Sequence, residues 1–238
     1  MKNGSEGNLR SQGLVGGTLA NDVLHRLRED IISCILKPGE KLRFEAMKDI
    51  YGVSFSTLRE ALSRLASEGL VVSEGQRGFK VAPISGEDLG DLTDARVLIE
   101  KECLLRAMKR GGEEWKSRIL TTFHRLDRLE NELEGQRRIT PEWDQLHSDF
   151  HEALVGASAS PTLADIRDRL FERSRRYRRI SALVRKTPRA KTDEHRLIME
   201  AVLGNDVEGA MTLIERHVRE IAQNIMQNGF DAAQGQAA

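Results

Sequence analysis

The chain has little from which to build a covalent or β-rich scaffold. Cys34 and Cys103 are the two cysteines among 238 residues, which excludes a disulfide framework and any cysteine-based metal site. Both sit among apolar neighbours and read as buried thiols in a reducing, cytoplasmic setting. Aromatic residues make up 5% of the chain, few for a β-sandwich or barrel. The amino-terminal stretch has no apolar run of signal-peptide length, and no other window could span a membrane, so no membrane contact is expected. An excess of one charge is also missing. Lys plus Arg number 37 and Asp plus Glu number 37, so a polyanionic partner would need a local basic surface.

What is present favours helices. The chain is 39% hydrophobic and 31% charged, enough to bury a core, and Leu, Ala, Glu and Arg are abundant. Residues 1–17 are rich in Gly, Ser and Asn and are expected to be disordered, as is the tail at 229–238. Residues 18–83 carry short elements. Leu19, Val23, Leu24, Leu27 and Ile31 follow helical spacing. "KPGEKL" is a turn. A short helix from Phe44 stops at Gly52, and Ser54 can cap the next one. "LVVSEGQRGFKVAP" has the signature of a β-hairpin. From residue 84 to 228 the pattern is helical, with a capping box at "SGED" (Ser85, Asp88) and breaks near Gly111, Pro141, Pro161, Pro188 and Gly204. The expected fold is mainly α: an N-terminal winged helix-turn-helix followed by an all-α bundle of about six helices.

"VSFSTLREALSRLASEGLV" (residues 53–71) has two faces. Leu58, Ala61, Leu62 and Leu65 form an inward stripe, while Ser54, Phe55, Ser56, Thr57 and Arg59 lead the helix into solvent. Leading residues of a recognition helix reach base edges in the major groove. Arg59 can donate two hydrogen bonds to guanine or clamp a phosphate, and the serine hydroxyls suit phosphate oxygens. The hairpin tip, Gln76, Arg77 and Gly78, suits the minor groove, with Arg43 and Lys48 flanking the backbone. A winged helix used only for protein contacts is the alternative. Basic residues outnumber acidic ones only 8 to 6 over residues 37–80, so charge alone does not decide. The run from "PGEKL" through "REAL" to "RGFKVAP" resembles the DNA-binding domain of the GntR family of bacterial transcription regulators. Many relatives have Arg in place of Phe55 and Pro in place of Thr57, which implies a different operator. The resemblance implies a near-palindromic double-stranded DNA site read by a homodimer.

Four of the six histidines fall on apolar helix faces. "WDQLHSDFHEAL" places His147 and His151 at i and i+4 beside Leu146, Phe150 and Leu154. His195 aligns with Ile198, Met199 and Val202, and His217 with Ala210, Leu213, Ile214 and Ile221. A single inward histidine reads as a hydrogen-bonded core residue. Four on three helices of one bundle also fit a metal site. "DARVLIE", "DFHEAL", "EHRLIMEAV" and the late His217 resemble, in that order, the FCD effector domain of the FadR branch of GntR regulators, with "EEW", "LHSDFHEAL" and "RYR" resembling the carbon-starvation-induced (CsiR) type. That domain commonly holds a divalent ion with one Asp and three His. The resemblance implies His151, His195 and His217 as ligands, with His147 at the Asp position and zinc or nickel as the ion.

Arg96 matches an arginine that faces the effector pocket in such relatives; a surface pair with Glu100 is the alternative. "IRDRLFERSRRYRRISALVRK" carries an apolar stripe of Ile166, Leu170, Tyr177, Ile180 and Val184, interrupted by Arg173. Arg173 or Tyr177 is thus expected at the ligand, and the remaining arginines read as a solvated face. The overall reading is a DNA-binding regulator, a repressor, whose bundle binds a metal and a small organic acid. A metal-dependent enzyme and a purely structural metal are the other readings, although no HExxH helix or nucleophile–base arrangement is present. Replacing Arg59 with Ala should weaken binding to operator DNA by about 1–3 kcal/mol in fluorescence anisotropy, with the thermal unfolding midpoint unchanged.

Overall fold

The computed structural model describes residues 19–133, 139–184 and 193–228. The segments expected to be disordered, 1–17 and 229–238, and the break at Pro188 lie outside the described residues. The order of elements is α1 (Leu19–Ile32), β1 (Lys41–Leu42), α2 (Phe44–Tyr51), α3 (Phe55–Ser67), β2 (Val71–Ser73), β3 (Phe79–Val81), α4 (Gly86–Arg110), α5 (Glu113–Glu132), α6 (Pro141–Val155), α7 (Pro161–Val184), α8 (Glu194–Leu203) and α9 (Val207–Asn228).

The first part is a winged helix-turn-helix. Helix α1 buries Val23, Leu24, Leu27, Ile31 and Ile32 against Leu58, Ala61, Leu62 and Leu65 of α3. Leu19, counted in the inward stripe by its spacing, is 61% exposed at the helix start. Helix α2 ends at Gly52, whose φ of 66° closes the turn and lets its N–H reach the Lys48 carbonyl, a conformation that disfavours any side chain. The wing carries one strand more than the hairpin pattern indicates. Strands run β1–β3–β2, with β1 pairing Leu42 opposite Phe79. A two-residue strand has no periodicity to read.

The second part is a bundle of six helices, α4 to α9. Its main core joins Cys103 and Leu104 of α4, Ile119 and Phe123 of α5, Phe150 and Leu154 of α6, Ile198 of α8 and Ile214 of α9. A smaller cluster, Ile84, Leu89, Leu92, Tyr177, Ile180 and Ile225, lies under the junction of the two parts. Half-buried Cys34 packs against it in a left-handed conformation with φ 60°, so only Cys103 is the fully buried thiol expected of both.

Only half of the expected capping box forms. The Ser85 hydroxyl accepts from the Asp88 N–H at 3.0 Å. The Asp88 carboxylate turns away to accept from Tyr177 Oη at 2.6 Å and Arg173 Nη2 at 2.8 Å. A charge-assisted pair plus a buried phenol outweighs one backbone N–H. Leu62 has no exposed surface, so Leu62→Ala should destabilise the winged helix by about 2–5 kcal/mol in urea unfolding followed by circular dichroism.

Candidate functional site

The leading edge of α3 stands in solvent. The Ser54 Oγ accepts from the Thr57 N–H and lies 2.9 Å from both Ser56 Oγ and Thr57 Oγ1, a cap network that holds the turn in shape. Phe55 is 49% exposed and stacks on Phe44 with centroids 4.3 Å apart. Arg59, Arg43 and Arg77 are exposed, and Gly78 takes φ 94° at the wing tip. Three other cations of this part are engaged: Arg28 with Glu68, Lys80 with Glu74, and Arg64 with Asn21. Ser54, Phe55, Ser56 and Arg59 of the edge expected to read DNA are thus all exposed. The side chain of Gln76 lies outside the described residues.

The four inward histidines converge. His147, His151, His195 and His217 are buried, and one ring nitrogen from each lies within 4.8 Å of the others. Helix α6 supplies two at one-turn spacing; α8 and α9 supply the others. Two are oriented by carboxylates: His195 Nδ1 is 3.2 Å from Glu130 of α5, and His217 Nδ1 is 3.2 Å from Glu194. A carboxylate on Nδ1 fixes the tautomer that turns Nε2 inward. Glu130 also accepts from Trp143 Nε1 at 3.1 Å, and Trp143 stacks on His147 at 4.6 Å. His147 Nδ1, both nitrogens of His151 and His195 Nε2 are buried without a hydrogen-bond partner among the described residues. Unpartnered buried nitrogens are costly. Burial drives the pKa of His147 and His151 well below 6.5, and the neighbouring cations Arg178 (for His147), Arg167 and Arg96 (for His151) push the same way. Neutral imidazoles with free lone pairs are what a divalent ion needs. The donor set fits one, and four nitrogens suit zinc or nickel over magnesium or calcium.

Beside the histidines lies a second cluster. The guanidinium carbons of Arg96, Arg167 and Arg178 sit 5.1, 4.9 and 5.1 Å from the centroid of Phe171. The same ring lies 6.2 Å from His147 and 5.9 Å from His151. Arg96 donates to Glu100 Oε1 at 3.2 Å and to Ser174 at 2.9 Å, and Arg167 donates to Glu100 Oε2 at 3.1 Å. Burial opposes a charge on Glu100, but Arg167 and Arg96 overcome it and hold the carboxyl below its usual range. Arg178 donates to Asp144 Oδ1 at 2.8 Å; burial pushes its pKa down to about 10 despite that carboxylate. A cleft of about 510 Å³ between α1, α6 and α7 reaches this cluster, with Arg167 and Phe171 in its wall.

The family description for bacterial regulatory proteins of the gntR family matches residues 19–81, and that for the FCD domain matches residues 91–220. The regulator BphR of Paraburkholderia xenovorans LB400 is 34% identical over 214 residues, 90% of this chain and 87% of its own. The chain belongs to the GntR family. The transcriptional repressor GlaR of Escherichia coli K12 is 36% identical over 196 residues, 81% of this chain and 89% of its own. The structure of E. coli McbR/YncC superimposes with a TM-score of 0.67 at 19% identity, covering 90% of this chain and all of that one, which shows a shared fold. This GntR protein is thus a DNA-binding transcription regulator with an FCD effector-binding domain, and its relatives are regulators, not enzymes. Among the described residues no helix is long and apolar enough to cross a membrane.

Arg173 and Tyr177, expected at the ligand, are not with the histidines in this GntR regulator. Both bond Asp88 at the junction, and Arg173 packs against Gly69 at the end of the recognition-helix segment. They occupy the face of α7 that closes the smaller core. Arg167, Phe171, Ser174 and Arg178 follow i, i+4, i+7, i+11 on another face, and that face meets the site. The solvated-face reading of the basic segment is therefore corrected: Arg167, Arg176 and Arg178 are 3–5% exposed. Arg96 and Glu100 do pair at i, i+4, but inside the bundle, with side chains 4% and 2% exposed. Sequence reasoning missed Arg167, Phe171, Arg178, Glu100 and Asp144; the one signal was the helical spacing of 167, 171 and 178 beneath a run of charge.

Because His147 and His151 titrate well below 6.5 when folded, the unfolded chain takes up protons below about pH 6.5 that the folded chain refuses. The chelated protein should lose thermal stability as pH falls from about 7 to about 5. The depressed carboxyls Asp144 and Glu100, whose ordinary values are 3.8 and 4.5, lose their contribution only below that window. Differential scanning calorimetry should show a weaker slope above pH 5 in a His147→Gln/His151→Gln variant.

Proposed function

We propose that this GntR regulator is a cytoplasmic repressor. Its residues 18–83 bind a near-palindromic DNA operator through Arg43, Ser54, Phe55, Ser56, Thr57, Arg59, Gln76, Arg77 and Gly78, and it acts as a homodimer. In residues 84–228, His147, His151, His195 and His217 hold a divalent ion, zinc or nickel, and a small organic acid binds beside it. When bound, the ion supplies a fixed positive centre for a carboxylate. Arg96, with Arg167 and Arg178, holds and orients the acid through charge-assisted hydrogen bonds. The observation that carries this reading is the meeting of two sets in one buried place: four imidazoles, three of them with a nitrogen unpartnered among the described residues, and three guanidiniums with unpartnered N–H groups.

A route from the site to the DNA-binding part follows from Asp144. Arg178 and Arg175 share this carboxylate, and Arg175 continues to Glu29 of α1 at 3.1 Å. An acid that draws Arg178 away changes what Arg175 and Glu29 can hold. The effector thereby binds the two placements of the DNA-binding part unequally, as any ligand switch requires.

The test is anisotropy on operator DNA with small carboxylic acids, before and after chelation and after restoring zinc or nickel. An acid response that disappears on chelation and returns with metal is expected; a response indifferent to chelation would overturn the metal's role. A saturating acid at 100 times its dissociation constant should also add about 2.7 kcal/mol to unfolding. Arg175→Ala should keep DNA binding and acid binding but lose most of the acid's effect on DNA affinity, read by anisotropy and calorimetry together.

A further inference from the structure

We infer that Phe55 reads a thymine in each operator half-site through the 5-methyl group of that base. The inference rests on the reading of α3 as the helix that enters the major groove and deepens it to one chemical contact.

Phe55 is the first residue of α3, directly after the Ser54 cap. Its neighbours on the leading edge are polar: Ser54, Ser56 and Arg59 are exposed. Phe44, the first residue of α2, stacks on the Phe55 ring with centroids 4.3 Å and planes 27° apart. Phe44 in turn meets Phe79 of β3 edge-on at 6.0 Å, and both pack against the core of the winged helix. Three rings from α2, α3 and the wing thus form a ladder whose outer member is Phe55. One face of that outer ring is covered, yet the residue stays 49% exposed. Leaving this much apolar surface in water is unfavourable, and covering it with an apolar group is favourable. The stack also holds the ring before a partner arrives, so little side-chain freedom is lost on contact.

A phenyl ring brings no hydrogen-bonding group, so Phe55 cannot read the donors and acceptors of a base edge. The major groove offers one apolar feature, the 5-methyl of thymine. A guanine edge placed against the ring would lose water and gain no hydrogen bond. The contact also has a place. Arg59 lies one turn further along α3, at i+4, and so on the same face as Phe55. One helical turn rises about 5.4 Å and one base pair about 3.4 Å. The thymine is therefore expected within about two base pairs of the group that Arg59 holds.

The experiment starts from duplexes that the full chain selects out of a random pool. In the best of these, each thymine is replaced in turn by deoxyuridine, which removes the methyl and keeps the hydrogen-bonding edge. Affinity is read by fluorescence anisotropy at one fixed salt concentration. One thymine per half-site should respond: binding about fourfold weaker for one lost methyl and about fifteenfold for both, as the burial of one carbon group implies. Phe55→Ala and Phe55→Gln should bind the thymine and deoxyuridine duplexes equally, while Thr57→Ser keeps the full difference. Circular dichroism and thermal unfolding confirm that each variant is folded, and either Phe55 variant that still binds DNA decides. Indifference to every deoxyuridine would overturn the inference, as would a difference that survives in the Phe55 variants or one that vanishes in Thr57→Ser. Each of those results leaves α3 as the reading helix. If the chain selects no duplex over the random pool, the reading of α3 itself falls, and the inference with it.

Discussion

Asp144 holds Arg178 on one oxygen and Arg175 on the other, inside a bundle whose remaining core is largely aliphatic and aromatic. Burial would raise the Asp144 carboxyl, but Arg178 and Arg175 hold it below its ordinary range. Losing Asp144 would leave both guanidiniums without this carboxylate, at a cost of about 3–5 kcal/mol, so the packing of α6 on α7 depends on it. His147 is three residues from Asp144 on the same helix, so the carboxylate that seats the arginines also sets the depth of the histidines. The four-histidine cluster and the buried arginine cluster are therefore parts of one arrangement.

Helix α7 carries that arrangement outward because it is buried on more than one face. One face presents Arg167, Phe171, Ser174 and Arg178 to the site. Another presents Arg173 and Tyr177 to Asp88, and Arg176 donates to the carbonyls of Ala82 at 2.6 Å and Pro83 at 3.2 Å, where the winged helix ends. A helix of 24 residues moves as a rod, not as a chain of independent side chains. A shift in how it sits on the site is a shift in what it offers the junction.

The histidines illustrate how the surroundings decide a residue's chemistry. His25 and His124 are exposed. The other four are buried, and Glu130 and Glu194 sit on Nδ1 of His195 and His217. Those carboxylates come from α5 and from the start of α8, so three helices beyond α6 must pack correctly before the ring nitrogens face one another.

By itself the sequence determined the two-part organisation, the cap at Ser54, the inward stripe of α3 and the inward direction of the four histidines, because each rests on spacing within one element. The family resemblance added the order of those elements and the partner classes. Tertiary structure alone decided which arginines lie beside the four histidines. Along α7 the pattern distinguishes apolar from charged positions, and Arg173, interrupting the apolar stripe, is the natural choice on that criterion. Yet guanidiniums at 167 and 178 are buried because Glu100 of α4 and Asp144 of α6 meet them across the bundle, and such partners, 67 and 34 residues away, leave no local trace. Likewise the carboxylate of Asp88 looks like the second half of a capping box until a tyrosine 89 residues later reaches it. Local periodicity records which face of a helix is wet; it cannot record which charge on another helix makes a polar face dry.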